Sequence, residues 1–150
     1  MGERRVVAER VVGAPADEVY GYIADYREHH HRFLPPAFTD FVVEEGGRGA
    51  GTVVRFRLTV GGRGREYRAV VAEPEPGRVL TEADAGTGST TTFTVTPAGG
   101  ESRVRVETTW PGAGGLAGVM ERVLARRLLG RLYADELERL DRYARERGGA

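Results

Sequence analysis

The stretch VVRFRLTV, residues 53–60, alternates between apolar and mostly polar side chains. The apolar set consists of Val54, Phe56, Leu58 and Val60. The intervening set consists of Val53, Arg55, Arg57 and Thr59. Because successive side chains of a strand point to opposite faces, the stretch predicts a strand with one dry face and one mostly wet face. Such a strand is typical of an antiparallel sheet that is covered on one side only.

The same period of two continues over residues 39–110, where turn sequences divide it into consecutive hairpins. The strands predicted in this region are 41–45, 53–60, 65–73, 78–84, 90–96 and 102–110. Two copies of GGRG, at 46–49 and 61–64, are interpreted as turns, since neither has the flanking strand, helix and lysine of a phosphate-binding loop. A valine-rich strand at 3–12 completes a sheet of about six or seven strands.

Two short helices are predicted after the first strand. Pro15 suits a first helical position, and Asp17 and Glu18 follow in the first turn, where the helix dipole favours acids. Asp25 is followed three residues later by a glutamate, which is the spacing of a capping box. We therefore expect a second short helix over 26–31.

A long C-terminal helix is predicted over 116–146, where leucine and valine recur at helical spacing. At about 100° per residue, the apolar side chains of its first half and those of its second half lie on nearly opposite sides of the helix. The early set is Leu116, Val119, Met120 and Val123, and the late set is Leu129, Leu132, Leu140 and Tyr143. We expect a kink or break near Arg126–Gly130. The fold class is α+β: a curved antiparallel sheet must cover its apolar face, and this helix is the only large element for it.

Composition excludes several classes of function. The chain has 22 basic and 22 acidic side chains, and this zero net charge argues against a dedicated nucleic-acid binder. It has no cysteine and no lysine, which excludes disulfides, thiolate chemistry and Schiff bases. No apolar run approaches the roughly 20 residues that span a bilayer, so we expect no membrane insertion. The expected protein is cytoplasmic, a monomer or homodimer, and without a cofactor.

Three stretches resemble a known family. They are VVGAPADEVYGYIADYREHHHRFLPP (11–36), GRGAGTVVRF (47–56) and EPEPGRVL (73–80). Together with the glycine-led terminal helix, they resemble the polyketide cyclase/dehydrase and lipid-transport family of the START/Bet v 1-like superfamily (SRPBCC). The resemblance spans nearly the whole chain and implies one domain over 1–150 with the helix-grip fold. The superfamily includes carriers, cyclases and receptors, so the resemblance does not specify a function. Function must therefore be argued from the site.

Apolar side chains on the predicted inner faces form either a filled core or the lining of a cavity. A curved sheet wrapped around a helix leaves a hollow, which is a natural site for a hydrophobic small molecule. The residues predicted to bind such a ligand are Phe33, Phe38, Phe56, Leu58, Tyr67, Phe93, Trp110, Leu116 and Met120.

The three histidines of the chain are consecutive, His29, His30 and His31. Consecutive side chains on a helix diverge by about 100°, so the three cannot reach one ion, and no metal site is expected. They are interpreted as a polar helix end beside the pocket entrance. One ring, His31, is expected to point into the mouth and hydrogen-bond a ligand.

Acid–base chemistry in the same cavity is the alternative. The candidate groups are His31, Tyr67, Arg68 and Glu82. Glu82 shares an alternation face with Leu80, so it is a buried acid if that face is inward, with Arg68 or Arg105 as partner. A register one residue off would place Glu82 in water. Three functions therefore compete: a carrier or sensor of a hydrophobic molecule, an aromatase/cyclase-type enzyme, and an interaction protein whose interior is packed.

Overall fold

Seven antiparallel strands form one curved sheet in the computed structural model of the chain, which describes residues 3–112 and 115–148 and, for residues 115–123 and 125, the backbone alone. The strands are β1 (Glu3–Val12), β2 (Phe38–Glu45), β3 (Val53–Val60), β4 (Arg63–Glu75), β5 (Val79–Asp84), β6 (Ser89–Ala98) and β7 (Glu101–Pro111). Their order across the sheet is β1-β7-β6-β5-β4-β3-β2. Strands β2 to β7 thus form the predicted meander, and β1 pairs with β7 at the far edge.

The two faces of the sheet follow the alternation of residues 53–60. Val54 and Leu58 are buried and Phe56 is half-buried, whereas the arginines between them are exposed. Strand register places inner residues side by side, in the pairs Val54 with Ala69, Phe56 with Tyr67, Leu80 with Phe93, and Phe93 with Val106. This inner face is one wall of the core.

The helical elements are α1 (Ala16–Ala24), a 3₁₀ helix (His30–Phe33) and α2 (Gly115–Gly148). The second element differs from the helix predicted over 26–31. Asp25 does act as a cap, since its Oδ1 accepts the backbone N–H groups of Arg27 at 3.1 Å and Glu28 at 2.9 Å. The capped residues form a turn that leads into the 3₁₀ helix. A segment this short before Pro35 has too few residues to propagate an α-helix.

Helix α2 runs without interruption over 34 residues, so of the kink or break expected near Arg126–Gly130 the break is wrong, and the kink stays a prediction. A helix satisfies its backbone hydrogen bonds internally, and its apolar face can therefore change sides without a break. Late in the helix, Leu137, Leu140 and Ala144 are buried in the core. The early set of apolar side chains lies outside the described residues. Within the described part of the chain, no helix is both long and apolar enough to cross a membrane.

Candidate ligand-binding cavity

A cavity of about 1120 Å³ lies between the inner face of the sheet, the 3₁₀ helix and α2. The residues on its floor are small: Val54 and Ala69 pair across β3 and β4 and are both buried. Helix α2 contributes Leu129 and Tyr133 to the opposite wall. Small side chains beneath a rigid helix leave the concave side of the sheet incompletely filled, and the remaining space is the cavity.

Aromatic rings line one side of the cavity. The ring of Phe56 lies 5.5 Å from that of Phe38 and 6.5 Å from that of Phe41, centroid to centroid. On its other side Phe56 stacks on Tyr67 at 5.4 Å with an interplanar angle of 15°. Rings from β2, β3 and β4 therefore form a continuous apolar wall against which a flat ligand can pack.

The inner end of the cavity, formed by His30, Glu82 and Glu136, is polar. The hydroxyl of Tyr26 donates a hydrogen bond to Glu82 Oε2. His30 Nδ1 lies 2.7 Å from the carbonyl oxygen of Ile23, so this nitrogen carries the hydrogen and donates it. The other ring nitrogen, Nε2, lies 3.8 Å from Glu82 Oε2.

Burial sets the protonation of this cluster. Burial lowers the pKa of His30, although the charge of Glu82 and the bond to Ile23 act in the opposite direction. The ring is therefore neutral near pH 7, and its Nε2 has a free lone pair. Burial and the neighbouring charge of Glu82 raise the pKa of Tyr26 well above its ordinary value, so the Tyr26 hydroxyl remains a donor.

Glu136 of α2 also lines the cavity. The residue is only 3% exposed, and no described residue forms a hydrogen bond or an ion pair with its carboxyl group. Burial, then the charges of Glu82 and Asp135, raise its pKa well above the ordinary value. Glu136 is thus a buried, unpartnered carboxyl group that lines the same space as Glu82.

A chain of hydroxyl groups continues this polar surface. Thr108 Oγ1 donates to the Tyr133 hydroxyl at 2.7 Å and lies 2.7 Å from Thr91 Oγ1. Burial raises the pKa of Tyr133, so its hydroxyl stays protonated at neutral pH. These groups largely satisfy one another, which leaves the inner end as the part of the cavity with unused acceptors.

The rim of the cavity is exposed and carries basic side chains, whereas the inner end carries acidic ones. Arg63 and Arg65 of β4 lie at the rim with Gly61, which adopts a positive φ of 61° in the β3–β4 turn. Across from them, Leu128 and the 52% exposed Leu124 of α2 also line it. The cavity therefore opens beside the β3–β4 hairpin and deepens toward Glu136.

The three histidines point to three different neighbours, as their divergence on a helical segment predicts. His29 Nδ1 lies 2.6 Å from the Tyr143 hydroxyl, and His30 lines the cavity. The expectation for His31 is wrong: this residue is exposed, and its Nε2 lies 3.0 Å from the carbonyl oxygen of Arg27. The 3₁₀ geometry turns the middle histidine inward. In the described part of the chain, no group of three or more His, Asp or Glu side chains is arranged to hold a metal ion.

Most residues predicted to bind a ligand lie around the cavity. Those that line it are Phe38, Phe56, Leu58, Tyr67, Phe93 and Trp110. Phe33 is instead buried in the core at 1% exposure and does not line the cavity. Leu116 and Met120 fall among the side chains outside the described residues. Their binding of a ligand stays a prediction.

The predicted acid–base candidates are not brought together as a set. Tyr67 and Glu82 line the cavity, so the inward register of β5 is correct. Arg68 lies on the outer face, where its Nε donates to Glu44 at 2.8 Å. The partners of Glu82 are Tyr26 and His30, because an arginine on the outer face of the sheet cannot reach an inward carboxylate.

Glu136 was missed by the sequence analysis. A signal was present: it lies at helical spacing with Tyr133, Leu137 and Leu140, all of which are buried. An acid on the apolar stripe of a helix is rare unless it is paired or functional.

The fold and the cavity define a class. A curved antiparallel sheet around a long C-terminal helix, with a short helix after the first strand, is the helix-grip arrangement of START/Bet v 1-like proteins. Residues 3–145 match the family model described as polyketide cyclase / dehydrase and lipid transport, and the chain belongs to that family. A comparison with curated proteins finds no match.

Solved structures of similar proteins agree with this assignment. The KanY protein, solved by NMR, is 33% identical, with a TM-score of 0.85 over 96% of this chain and 99% of that chain. The ZhuI aromatase/cyclase from Streptomyces sp. R1128 is 20% identical, with a TM-score of 0.76 over 97% of this chain and 96% of that one. A START superfamily protein from Mycobacterium smegmatis is 16% identical, with a TM-score of 0.75 over 97% of this chain and 99% of that one. The last two show the shared fold alone.

Proposed function

We propose that the protein binds a hydrophobic small molecule of aromatic or lipid-like character in the cavity. The observation that carries the proposal is the cavity of about 1120 Å³ with its wall of Phe38, Phe56 and Tyr67. Packed protein interiors contain few voids larger than a water molecule, so a space of this size is a functional feature. Ligand sites are concave, mostly apolar, and carry a few placed polar groups, as this one does. A carrier or sensor needs no more than this.

A matched pair of substitutions on β4 tests the proposal. Ala69 is buried on the cavity floor, whereas Ala72 on the same strand is exposed on the outer face. The uncharged fluorescent probe N-phenyl-1-naphthylamine is titrated into the wild-type protein, Ala69→Phe and Ala72→Phe. We expect saturable binding to the wild type and to Ala72→Phe, and binding weakened about tenfold or more in Ala69→Phe, a loss of roughly 1.4 kcal/mol.

The result that contradicts the proposal is equally specific. Circular dichroism first establishes that both variants keep the fold. Probe fluorescence that never saturates, or that is unaffected by the phenylalanine at position 69, would assign the binding to the protein surface and overturn the proposal.

The second candidate is an enzyme of the cyclase/dehydratase type. One observation favours it: Glu136, whose raised pKa keeps it protonated, lines the same cavity as Glu82, which accepts a hydrogen bond from Tyr26. A neutral carboxylic acid beside a carboxylate is a general acid and a general base in one cavity. Turnover of an aromatic β-hydroxyketone to its dehydrated product, lost in Glu136→Gln and kept in Glu138→Gln, would support the enzyme over the carrier.

A further inference from the structure

We infer that the inner end of the cavity binds a protonated amine, so that the ligand combines an apolar aromatic body with one basic nitrogen. This inference rests on the proposed function, because it specifies the ligand that the same cavity takes. It comes from the groups at the inner end, which are two carboxyl groups and an imidazole lone pair, with no basic side chain among the described residues.

The first of these acceptors is the carboxyl group of Glu136. It lines the cavity on a residue that is 3% exposed, and no described residue hydrogen-bonds to it or pairs with it. A buried carboxyl group without a partner destabilises a fold, by about 1–3 kcal/mol in protein mutational data. Such a group at a cavity surface indicates a ligand that completes its interactions.

Two further acceptors complete the inner end. Glu82 receives one hydrogen bond, from Tyr26, and a carboxylate can accept several more. His30 donates through Nδ1 to Ile23, which leaves the lone pair of Nε2 available. An ammonium group carries three N–H donors and no acceptor, and this number matches the three acceptors that the site offers once Glu136 has lost its proton.

The charges around the inner end favour a cation as well. The titratable groups that face Glu136 or act on it are Glu82, Tyr26, Tyr133, His30 and Asp135. The chain has no lysine, and the arginines that line the cavity, Arg63 and Arg65, are exposed at the rim. Glu136 lies eight residues beyond the rim residue Leu128, about 12 Å along the helix. No basic side chain of the described residues therefore neutralises the inner end.

Alternative ligand groups fit less well. A ligand carboxylate would add a like charge beside Glu82 in a region of low dielectric. A neutral alcohol could accept from protonated Glu136 and donate to Glu82, but it brings no positive charge to offset the carboxylate.

Amine binding also predicts a change in protonation. Glu136 is protonated in the empty cavity, because burial and Glu82 raise its pKa. A bound ammonium favours the ionised carboxylate, and the displaced proton leaves to solvent. Binding of an amine that is already protonated in solution should therefore release about one proton.

Three isosteric probes test the inference: 2-naphthylmethylamine, 2-naphthalenemethanol and 2-naphthoate. Their affinities are measured by isothermal titration calorimetry at pH 7, in two buffers of different ionisation enthalpy, which gives the number of protons released. We expect the amine to bind about tenfold or more tightly than the alcohol, with release of about one proton, and the carboxylate to bind weakest. The variant Glu136→Gln should lose the proton release and most of the preference, while Glu138→Gln, an exposed acid of the same helix, should keep both.

The two proposals fail in different ways. If the alcohol binds as tightly as the amine, or if Glu136→Gln leaves the amine preference and the proton release unchanged, the amine inference is overturned and the cavity remains a hydrophobic site. If none of the three probes binds, the proposed function fails together with it. The comparison of amine and alcohol needs only the wild-type protein, so it holds even if a variant does not fold.

Discussion

The hydroxyl of Tyr26 lies 2.5 Å from the carboxylate of Glu82, which joins the turn after α1 to the middle of β5. Tyr26 is fully buried, and its ring stacks on His30 with centroids 4.4 Å apart. One tyrosine therefore positions both the carboxylate and the imidazole of the inner end. The arrangement ties the segment between β1 and β2 to the sheet and holds the Glu82 carboxylate at the cavity surface.

Removal of this hydroxyl should destabilise the protein. In Tyr26→Phe the Glu82 carboxylate loses the one hydrogen-bond donor it has among the described residues, and a bond to a charged group contributes about 1.5–3 kcal/mol. We expect the free energy of unfolding in urea to fall by an amount in that range. Tyr67→Phe is the matched control, because the half-buried Tyr67 hydroxyl makes no hydrogen bond to a described residue. Equal losses in the two variants would show that the bond has no stabilising role.

Substitution of Glu136 should stabilise the protein in a pH-dependent way. Its pKa in the folded protein lies above the ordinary value of 4.5, so the folded state holds a proton that the unfolded state releases. Folding stability is therefore highest below the unfolded pKa and falls as pH rises toward the folded pKa, by up to about 1.4 kcal/mol per pH unit.

Glu136→Gln removes this penalty and should leave stability nearly unchanged at pH 4. At pH 7 the variant should be more stable than the wild type by about 1–3 kcal/mol, as expected for a binding residue whose burial destabilises the fold. Urea unfolding of both proteins from pH 4 to 8 measures the difference. A gap that does not widen with pH would contradict the raised pKa of Glu136.

Asp141 of α2 should have the opposite pH dependence. Burial alone would raise its pKa, but the Gly13 N–H at 2.9 Å and the guanidinium groups of Arg10 and Arg145 more than offset this and lower it. An acid with a lowered folded pKa stabilises the protein above its unfolded pKa, and this contribution is lost as pH falls through the folded value.

We therefore expect Asp141→Asn to cost about 1–2 kcal/mol of unfolding free energy at pH 7 and little once the pH has fallen below the folded pKa of Asp141. Glu138→Gln removes an acid from the exposed side of the same helix and should cost less than about 0.5 kcal/mol at either pH. Acid-unfolding curves of the three proteins provide the measurement. If the Asp141→Asn deficit persists unchanged at low pH, hydrogen bonding rather than charge accounts for it.

Gly130 lies inside α2 at the point where a break was expected. A Cβ added there meets no atom within 4 Å, and glycine in a helix interior costs about 0.5–1 kcal/mol relative to alanine. Gly130→Ala should therefore raise the melting temperature by a few degrees. Gly46→Ala provides the contrast, since Gly46 has a φ of 67° and its added Cβ would lie 3.0 Å from Thr52 Cα. If Gly46→Ala also stabilises the protein, the gain in Gly130→Ala cannot be attributed to the replacement of a glycine inside a helix.

The elements of the fold were predictable because their signals are local. Alternation in residues 53–60 gave the inner and outer faces of β3, and the turn sequences gave the meander. The family resemblance then gave the sheet around the terminal helix, which the structure has. Two expectations about helices were wrong. The segment 26–31 is too short to propagate beyond the Asp25 cap, and the changing apolar face of α2 does not interrupt its backbone hydrogen bonds.

The amino-acid sequence by itself determined which faces are apolar, the antiparallel class of the sheet and the apolar residues near a cavity, because periods of two and of helical spacing are properties of neighbouring residues. Tertiary structure alone decided the inner end. Tyr26, Glu82 and Glu136 come from three elements, and strand register together with the rotation of α2 brings them to one cavity. A shift of the strand register by one residue, or a rotation of α2 by one residue, would turn a carboxyl group to solvent. No local pattern in the sequence encodes that choice.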